Sequence, residues 1–289
     1  MLSNERLKEL MEKAYRIRRH VLEMTTSAGT GHPGGSLSCA DILVALYFHT
    51  MQHDPKNPNW PDRDRFILSK GHACPALYAT LAEAGYFPIE ELEDLRKLGS
   101  RLQGHPDLNR RLPGIENSSG SLGHGLAIAN GIALSGKLDK RDYRVYVLLG
   151  DGECQEGLIW EAAMFAAHYK IDNLTAIVDR NSLQIDGPTE KVMSLEPLAD
   201  KWRAFGWNVM EIDGHDINFI VNAFEETKCV KGRPSIIIAY LIKGRGVSFM
   251  EWMREYHGKT LSPEDLNRAL ADLETWYKSE LVKSEVGKC

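Results

Sequence analysis

An acidic residue stands between two glycines at the end of an apolar run, in the segment LLGDGECQEG that begins at Leu148. Residues 143–149 read as a buried strand, and Asp151 follows almost at once. Glycines let a backbone approach a phosphate closely, and a carboxylate is a hard oxygen ligand for Mg²⁺. Asp-Gly is also an ordinary turn dipeptide. The choice between a turn and a site for a metal ion and phosphate therefore depends on other residues.

A second polar residue, Asn181, follows the next apolar run, and 28 residues separate it from Gly152. Residues 157–171 have a helical pattern and residues 173–179 a strand pattern, which together make one right-handed β-α-β unit. The carboxyl ends of its two parallel strands open on the same edge of the sheet, where ligands bind. The sequence therefore predicts that Asp151 and Asn181 converge on a metal-bound diphosphate, with two separate turns as the alternative.

Five histidines occupy glycine-rich loops that are predicted to reach this edge: His32, His72, His105, His124 and His257. Imidazole donates, accepts and titrates near neutrality, which suits sugar hydroxyls and proton transfer. A single histidine among glycines is as readily an ordinary loop residue. A metal-dependent hydrolase that uses these loop histidines as ligands is a further alternative, but none of the five has another histidine at H-x-H or H-x-x-x-H spacing.

The elements that must position these residues alternate between helix and strand along the chain. The predicted strands are short, continuous apolar runs at residues 65–69, 143–149, 173–179, 207–214 and 235–242. Helices are predicted at residues 4–26, 39–51, 88–99, 126–138, 157–171 and 262–281, with one more ending at Gly85 and another between the last two strands. A long polar loop is predicted at residues 102–125. This order indicates an α/β fold with a parallel sheet and helices on both faces.

The composition of the chain limits the classes of function that it can have. The chain has 289 residues, 43% of them hydrophobic, and its 35 basic and 40 acidic residues give no case for nucleic acid or an anionic membrane. The charged N-terminal segment lacks the apolar core of a signal peptide. The five cysteines, Cys39, Cys74, Cys154, Cys229 and Cys289, are scattered. A cytoplasmic chain with one domain over residues 1–289 is expected.

Several dispersed motifs in one order resemble the transketolases, a branch of the thiamine diphosphate enzymes. They are SAGTGHPGGSLS, LSKGHACPALYATLAEAGYF, GHPD, GSLGHGLAIANGIAL, GDGECQEGLIWEA, VDRNSLQIDG and KGRGVSFME, with YHG following. The resemblance runs over nearly the whole chain and covers the family's N-terminal, diphosphate-binding domain. It implies transfer of a two-carbon ketol unit from a ketose phosphate to an aldose phosphate, in the non-oxidative pentose phosphate pathway.

The resemblance also implies roles for particular residues. Contact with sugar hydroxyls and proton transfer fall to His32, His105 and His257. Contact with thiamine diphosphate falls to His72, Gly120, Ser121, Leu122, Gly150, Gly152, Glu156, Asn181, Lys243 and His257. The metal, Mg²⁺ with Ca²⁺ or Mn²⁺ as substitutes, falls to Asp151, Asn181 and the carbonyl of Leu183.

Three further positions carry less specific expectations. Glu156 and Glu161 match an acidic network that links paired active sites, although Glu161 also fits a solvated acid near a helix start. His124 departs from the family pattern, because many relatives have Gln there. Arg180, beside the predicted ligand Asn181, stands where relatives vary.

The second domain of the family, which carries the pyrimidine-binding site and the glutamate that activates the cofactor, is absent from this chain. The resemblance therefore implies one half of a split transketolase, assembled two plus two with a partner subunit. Alternatives are a split transketolase for a branched or sulfonated ketose, and a 1-deoxyxylulose-5-phosphate synthase, which the GHPD and KGRG segments fit less well. A non-catalytic cofactor-binding subunit is the remaining alternative.

Overall fold

A computed structural model describes residues 2–286, and these contain seven strands and ten α-helices. Cys289 and the two ends of the predicted domain lie outside the described residues. The strands are β1 Arg65–Leu68, β2 Val145–Gly150, β3 Leu174–Arg180, β4 Leu183–Gln184, β5 Gly187–Pro188, β6 Asn208–Asp213 and β7 Ser235–Tyr240. Five of them form a parallel sheet in the order β1-β2-β3-β7-β6, and β4 and β5 form a small antiparallel hairpin.

Helices cover both faces of the parallel sheet, as predicted. They are α1 Asn4–Ala28, α2 Pro33–Ser38, α3 Ala40–Ala45, α4 Cys74–Glu83, α5 His124–Leu138, α6 Gly157–His168, α7 Thr189–Val192, α8 Leu198–Ala204, α9 Ile217–Cys229 and α10 Pro263–Val286. Successive strand residues point to opposite faces. Tyr146 and Leu148 therefore pack with α1, α3, α4, α9 and α10, while Val145 and Val147 pack with α5, α6 and α8.

The predicted β-α-β unit is confirmed. Strands β2 and β3 are parallel neighbours, and Gly150 at the tip of β2 pairs with Asp179 near the tip of β3. The polar residues that follow each strand therefore begin at the same edge of the sheet. The loop after β1, which starts at Ser69, opens on this edge as well because β1 is parallel to β2.

The predicted helix at residues 88–99 is wrong. The structure has only a short 3₁₀ segment, Ile89–Asp94, in which Leu92 alone is buried. Within residues 88–99 only Leu92 and Leu95 are buried, which gives a longer helix little apolar surface to bury. Arg96 then adopts a left-handed backbone with φ of 60°, which a continuing α-helix does not allow.

Other boundaries also differ from the sequence prediction. Helix α2 begins inside the glycine-rich segment, with Pro33 in its first turn. Helix α3 is short and ends in a wider π-turn, Leu46–Thr50, and α10 extends five residues past the predicted 281. Ser262 does cap α10, since its hydroxyl accepts from the amide of Asp265 at 3.1 Å. Nothing in the pattern had indicated α7, α8 or the β4-β5 hairpin.

Two further observations bear on function class. None of the helices within residues 2–286 is both long and apolar enough to cross a membrane. Cys39, Cys74 and Cys154 are buried free thiols and Cys229 is an exposed one.

Candidate active site

The tips of β2 and β3 bring three oxygen atoms of different chemistry together. Oδ1 of Asp151 accepts from the amide of Gly152 at 2.8 Å, and Oδ2 accepts from the amide of Ser182 at 2.6 Å. The amide oxygen of Asn181 accepts from the backbone of Leu183 at 3.1 Å. The bond from the amide of Ser182 therefore places Asp151, which follows β2, against the turn after β3 that carries the other two predicted ligands, Asn181 and the carbonyl of Leu183.

These oxygens retain lone pairs that no hydrogen bond uses. Each carboxylate or carbonyl oxygen has two lone pairs. Oδ1 of Asp151, Oδ1 of Asn181 and the carbonyl of Leu183 each accept one hydrogen bond, so each retains one lone pair. Three oxygens of this kind make half of an octahedral shell, and Mg²⁺ usually completes its shell with phosphate oxygens and water. The donor set fits a divalent cation that carries a diphosphate.

A buried acidic residue, Asp179, fixes how Asn181 is turned. Oδ1 of Asp179 accepts from the side-chain amide nitrogen of Asn181 at 2.9 Å, which leaves the amide oxygen of Asn181 facing the predicted metal. Oδ2 of Asp179 pairs with the ammonium of Lys70 and accepts from the hydroxyl of Ser38 at 2.5 Å. Burial alone raises the pKa of Asp179, but Lys70 reverses this and holds the pKa below its usual value.

Electrostatics at Asp151 favour a cation. Burial first, and then the charge of Asp179, raise the pKa of Asp151, while Arg180 opposes them. A carboxylate in this position gains stability from any additional positive charge nearby. Additional positive charge near Asp151 is therefore favourable even though Arg180 already contacts one of its oxygens.

Two lysines supply positive charge beside the oxygen ligands. Nζ of Lys243 donates to the carbonyl of Leu183 at 2.8 Å and to Nδ1 of His257 at 3.1 Å. Burial lowers the pKa of Lys243 to about 8, although Asp151 and Asp179 oppose the change. Lys70 is buried and also donates to the carbonyl of Gly35 at 2.8 Å. Two cations suit a diphosphate, and sequence reasoning found only Lys243.

Four of the five singled-out histidines form one cluster at this edge. The ring centre of His32 lies 5.3 Å from that of His72, 6.3 Å from His105 and 5.4 Å from His257, and the rings of His72 and His257 are 4.9 Å apart. His124 is exposed at the start of α5, and the ring contacts within residues 2–286 do not include it.

The clustered histidines are neutral near pH 7. Burial lowers the pKa of His32 to about 4, helped by Arg96 and His105, and burial with Lys243 lowers that of His257 to about 3. The pKa values of His72 and His105 are lowered mainly by burial too. A neutral imidazole presents one donor and one acceptor, which suits hydroxyl groups. Burial thus holds the pKa values of His32 and His257 well below the ordinary value of an imidazole.

One buried ring nitrogen of the histidine cluster has no hydrogen-bond partner. Among the described residues, Nδ1 of His32 is buried and makes no hydrogen bond, and neither does Oγ of Ser119 beside Gly120. Buried polar groups are normally paired, so unpaired ones mark a place for a ligand or water. No group of three or more His, Cys, Asp or Glu side chains within residues 2–286 has the arrangement of a metal site. The histidine-ligated hydrolase therefore gains no support.

A single buried carboxylate, Glu153, ties together three loops that carry predicted site residues. It accepts from the hydroxyl of Ser69, from the amide of Gly123 at 2.8 Å and from the amide of Gly150 at 2.9 Å. These atoms adjoin Lys70, the segment 120–122 and Asp151. Sequence reasoning assigned Glu153 no role, although an acid directly after Gly-Asp-Gly was a visible signal.

Glycines allow these loops to approach one another. A Cβ on Gly71 would collide with the hydroxyl of Ser119 and lie 3.0 Å from the amide of Gly120. Gly120 itself has φ of 135°, a backbone conformation that side chains disfavour, and lies beside His105. Gly120 and Ser121 are exposed and Leu122 is half-buried, so their backbone is open to a ligand.

The remaining candidates lie at the margin of the cluster. Glu156 and Glu161 are exposed, just before and within α6, and face outward from the described chain. Arg96, which sequence reasoning missed, donates to Oγ1 of Thr30 at 3.1 Å and contributes positive charge at His32 and His105. Its left-handed backbone marks a residue held in place by its surroundings.

Comparison with known proteins extends this picture. Residues 10–286 match the family described as transketolase, thiamine diphosphate binding domain. The 6-deoxy-6-sulfo-D-fructose transketolase subunit SqwG of Clostridium sp. (strain MSTE9) is 50% identical over 266 residues, which cover 92% of this chain and 96% of that one. An apulose-4-phosphate transketolase subunit of Phocaeicola vulgatus is 45% identical, over 89% of this chain and 90% of that one.

Solved structures agree with the sequence comparison. Transketolase from Leishmania mexicana superposes with a TM-score of 0.85 at 30% identity, and the match covers 96% of this chain but 45% of that one. The chain thus corresponds to nearly the full length of proteins named as subunits and to less than half of this longer enzyme.

Proposed function

Because this chain belongs to the transketolase family, through its thiamine diphosphate binding domain, we propose that it is the diphosphate-binding subunit of a two-chain transketolase. The activity of the family is the transfer of a two-carbon ketol unit between sugars. Residues 1–289 form a single domain in this proposal, and a partner subunit carries the pyrimidine-binding domain. The assembly contains two copies of each chain.

The observation that carries the proposal is the meeting of the residue after β2 with the turn after β3, where three oxygens with free lone pairs lie beside two lysines. Asp151, Asn181 and the carbonyl of Leu183 would hold Mg²⁺, while Lys243, His72 and the amide of Gly152 would hold the diphosphate. When bound, thiamine diphosphate supplies the electron sink for breaking a carbon–carbon bond next to a carbonyl. The backbone at Gly120, Ser121 and Leu122 would contact its rings.

The clustered histidines would orient the sugar. Lys243 donates to Nδ1 of His257, so the ring proton of neutral His257 sits on Nε2, where it can donate to a hydroxyl. His32 has a free ring nitrogen, and His105 lies beside Gly120. A diphosphate close to these rings raises their pKa values and makes proton transfer accessible to them.

Assembly with a partner is supported by the chain's correspondence to proteins named as subunits. Exposed Glu156 and Glu161 lie where a paired subunit can reach them, at the start of α6. In this proposal they form the acidic link between two active sites. The alternative of solvated helix-start acids stays open to test.

A second candidate concerns the sugar. The relatives at 50% and 45% identity are named for 6-deoxy-6-sulfo-D-fructose and apulose 4-phosphate, which favours a sulfonated or branched ketose over a donor of the pentose phosphate pathway. Arg96, partly exposed beside His32 and His105, is the cation of this chain best placed for an anionic sugar.

The test is calorimetric titration of Mg²⁺ and thiamine diphosphate into the chain alone and with the partner subunit, followed by ketol transfer assays. Donors should include xylulose 5-phosphate, 6-deoxy-6-sulfo-D-fructose and apulose 4-phosphate. Tight binding and turnover in the mixture support the proposal, and the preferred donor decides between the two candidates. Absence of binding in both samples overturns the cofactor assignment. Binding without turnover of any ketose favours a non-catalytic subunit.

A further inference from the structure

A buried network joins α1, α3 and the loop after β6. Arg18 donates from both terminal nitrogens to Asp41, at 2.9 and 2.6 Å, and is fully buried. Nδ1 of His215 lies 2.7 Å from Oδ2 of Asp41. Arg18 and His215 together lower the pKa of Asp41 despite its burial, so this carboxylate is ionised and accepts from both.

The other nitrogen of His215 makes a contact that fixes its tautomer. The backbone amide of Ile242 donates to Nε2 of His215 at 2.9 Å. An amide N–H can only donate, so Nε2 is unprotonated and Nδ1 carries the proton that is given to Asp41. His215 therefore connects a charged pair in the core to a single backbone amide.

That amide belongs to the segment that carries Lys243. The ladder of β7 ends at Tyr240, so the sheet does not hold Ile242. The next residue, Lys243, reaches the carbonyl of Leu183 and the ring of His257, and the amide of Gly244 donates to the carbonyl of Gly34 at 3.0 Å. The contact with His215 holds the backbone directly before Lys243, together with two backbone hydrogen bonds of 3.2 Å, from the amide of Leu241 to the carbonyl of Arg180 and from the amide of Arg245 to the carbonyl of Ile242.

We propose that His215 is a positioning residue for the cofactor site, which it serves by holding Ile242 and thereby aiming the ammonium of Lys243. The inference rests on the proposed function for the meaning of Lys243, and it concerns a residue outside the site itself. Loss of the acceptor leaves a partly buried N–H unpaired, and the segment must shift to find another partner.

Two substitutions separate the two contacts of His215. In His215→Asn the side-chain amide can still donate to Asp41, but it is too short to accept from Ile242. In His215→Gln the side-chain oxygen reaches the place of Nε2 and can accept from Ile242. Exposed His49→Gln is the matched control.

Two measurements on the complex with the partner subunit test the proposal. The first is the dissociation constant of Mg²⁺–thiamine diphosphate, and the second is hydrogen exchange of the backbone at residues 241–244 without cofactor. We expect His215→Asn to weaken binding by about tenfold or more, the scale on which residues supporting a ligand act. Exchange at 241–244 should accelerate in this variant, and His215→Gln should restore most of both properties.

The outcomes distinguish this inference from the function. Unchanged binding and exchange in His215→Asn overturn the inference. An equal loss in both variants that follows a drop in melting temperature also overturns it, because that result indicates a merely structural role. If the unmodified complex does not bind the cofactor, the proposed function fails, and the exchange experiment still decides whether His215 holds Ile242.

Discussion

The guanidinium of Arg180 lies 3.2 Å from Oδ2 of Asp151, and the two side chains are only 5% and 3% exposed. Oδ2 thereby has two partners, Arg180 and the amide of Ser182, while Oδ1 keeps one free lone pair. Arg180 also pairs with Glu196 at 2.9 Å, which anchors its far side. The arginine thus orients the carboxylate so that one particular oxygen faces the predicted metal.

Replacing Asp151 tests the metal assignment. Asp151→Asn keeps the size of the side chain but removes its charge. It also replaces one acceptor oxygen with an NH₂ donor, which then faces a backbone N–H donor or a cation. We expect affinity for Mg²⁺–thiamine diphosphate to fall by at least about 10–100-fold, the loss that even supporting residues cause. Titration calorimetry with the partner subunit measures this, and exposed Asp186→Asn serves as control. Unaltered affinity in the Asp151 variant means that the metal lies elsewhere.

Glu153→Gln tests whether one carboxylate organises the site loops. The amide has one oxygen for three donors, so at least one of the Ser69, Gly123 and Gly150 contacts is lost and an N–H faces an NH₂ group. Hydrogen bonds to charged groups contribute about 1.5–3 kcal/mol each, and we expect a loss of stability of roughly that size. Urea unfolding of the chain measures it, with exposed Glu93→Gln for comparison. Equal stability of the two variants would contradict the role.

The fold and the convergence of Asp151 on the turn that carries Asn181 were predictable because both depend on local rules. The handedness of the β-α-β unit makes β2 and β3 parallel neighbours, and their register then brings Gly150 beside Asp179, two residues before Asn181. The short strands read as continuous apolar runs because both faces of the sheet are covered.

The missed residues depend on contacts that are distant in sequence. Lys70 is recognisable as a site residue only once Asp179 lies against it, 109 residues away, and Ser69 reaches Glu153 across 84 residues. No periodicity encodes such pairs. His124 does not lie with the other histidines, because its position at the start of α5 exposes its side chain to solvent.

Two glycine substitutions should have opposite effects. Gly71→Ala places a methyl group against Ser119 and Gly120, so we expect a loss of about 1–3 kcal/mol from overpacking, with displacement of the loop at Gly120. Gly131 lies within α5 with nothing within 4 Å of an added Cβ, and Gly131→Ala should stabilise the chain by about 0.5–1 kcal/mol. Urea unfolding compares them. Stabilisation by Gly71→Ala would mean that the loops do not pack as described.

The outer face of α6 should contact another subunit. Glu161, Met164 and Phe165 share one helical face, and Met164 and Phe165 are 59% and 38% exposed. Exposed apolar side chains grouped on one helical face are typical of an interface. Met164→Lys combined with Phe165→Glu should reduce assembly with the partner chain and leave the folded chain intact. Light scattering after size exclusion measures the mass. Phe219→Glu, at a 55% exposed position on α9, is the control, and equal masses for all three proteins would exclude α6.

The buried histidines predict how stability depends on pH. The folded chain holds the pKa of His32 at about 4 and that of His257 at about 3, against an ordinary value of 6.5. Between pH 6.5 and these values the unfolded state binds more protons than the folded state, so stability must fall as pH falls through this window. The stability that depends on the two rings being neutral is fully present above pH 6.5.

Melting temperatures of the free chain at pH 7.5, 6 and 5 test this, because removing the two rings should flatten the curve. His32→Asn combined with His257→Asn is expected to lose less stability on acidification than the unmodified chain. The exposed His168→Asn should follow the unmodified chain. Carboxylates also titrate toward acid pH, but they are the same in all three proteins, so the difference between the curves isolates the rings. Parallel curves would show that His32 and His257 are not held neutral by burial, and the donor-and-acceptor role proposed for them would lose its physical basis.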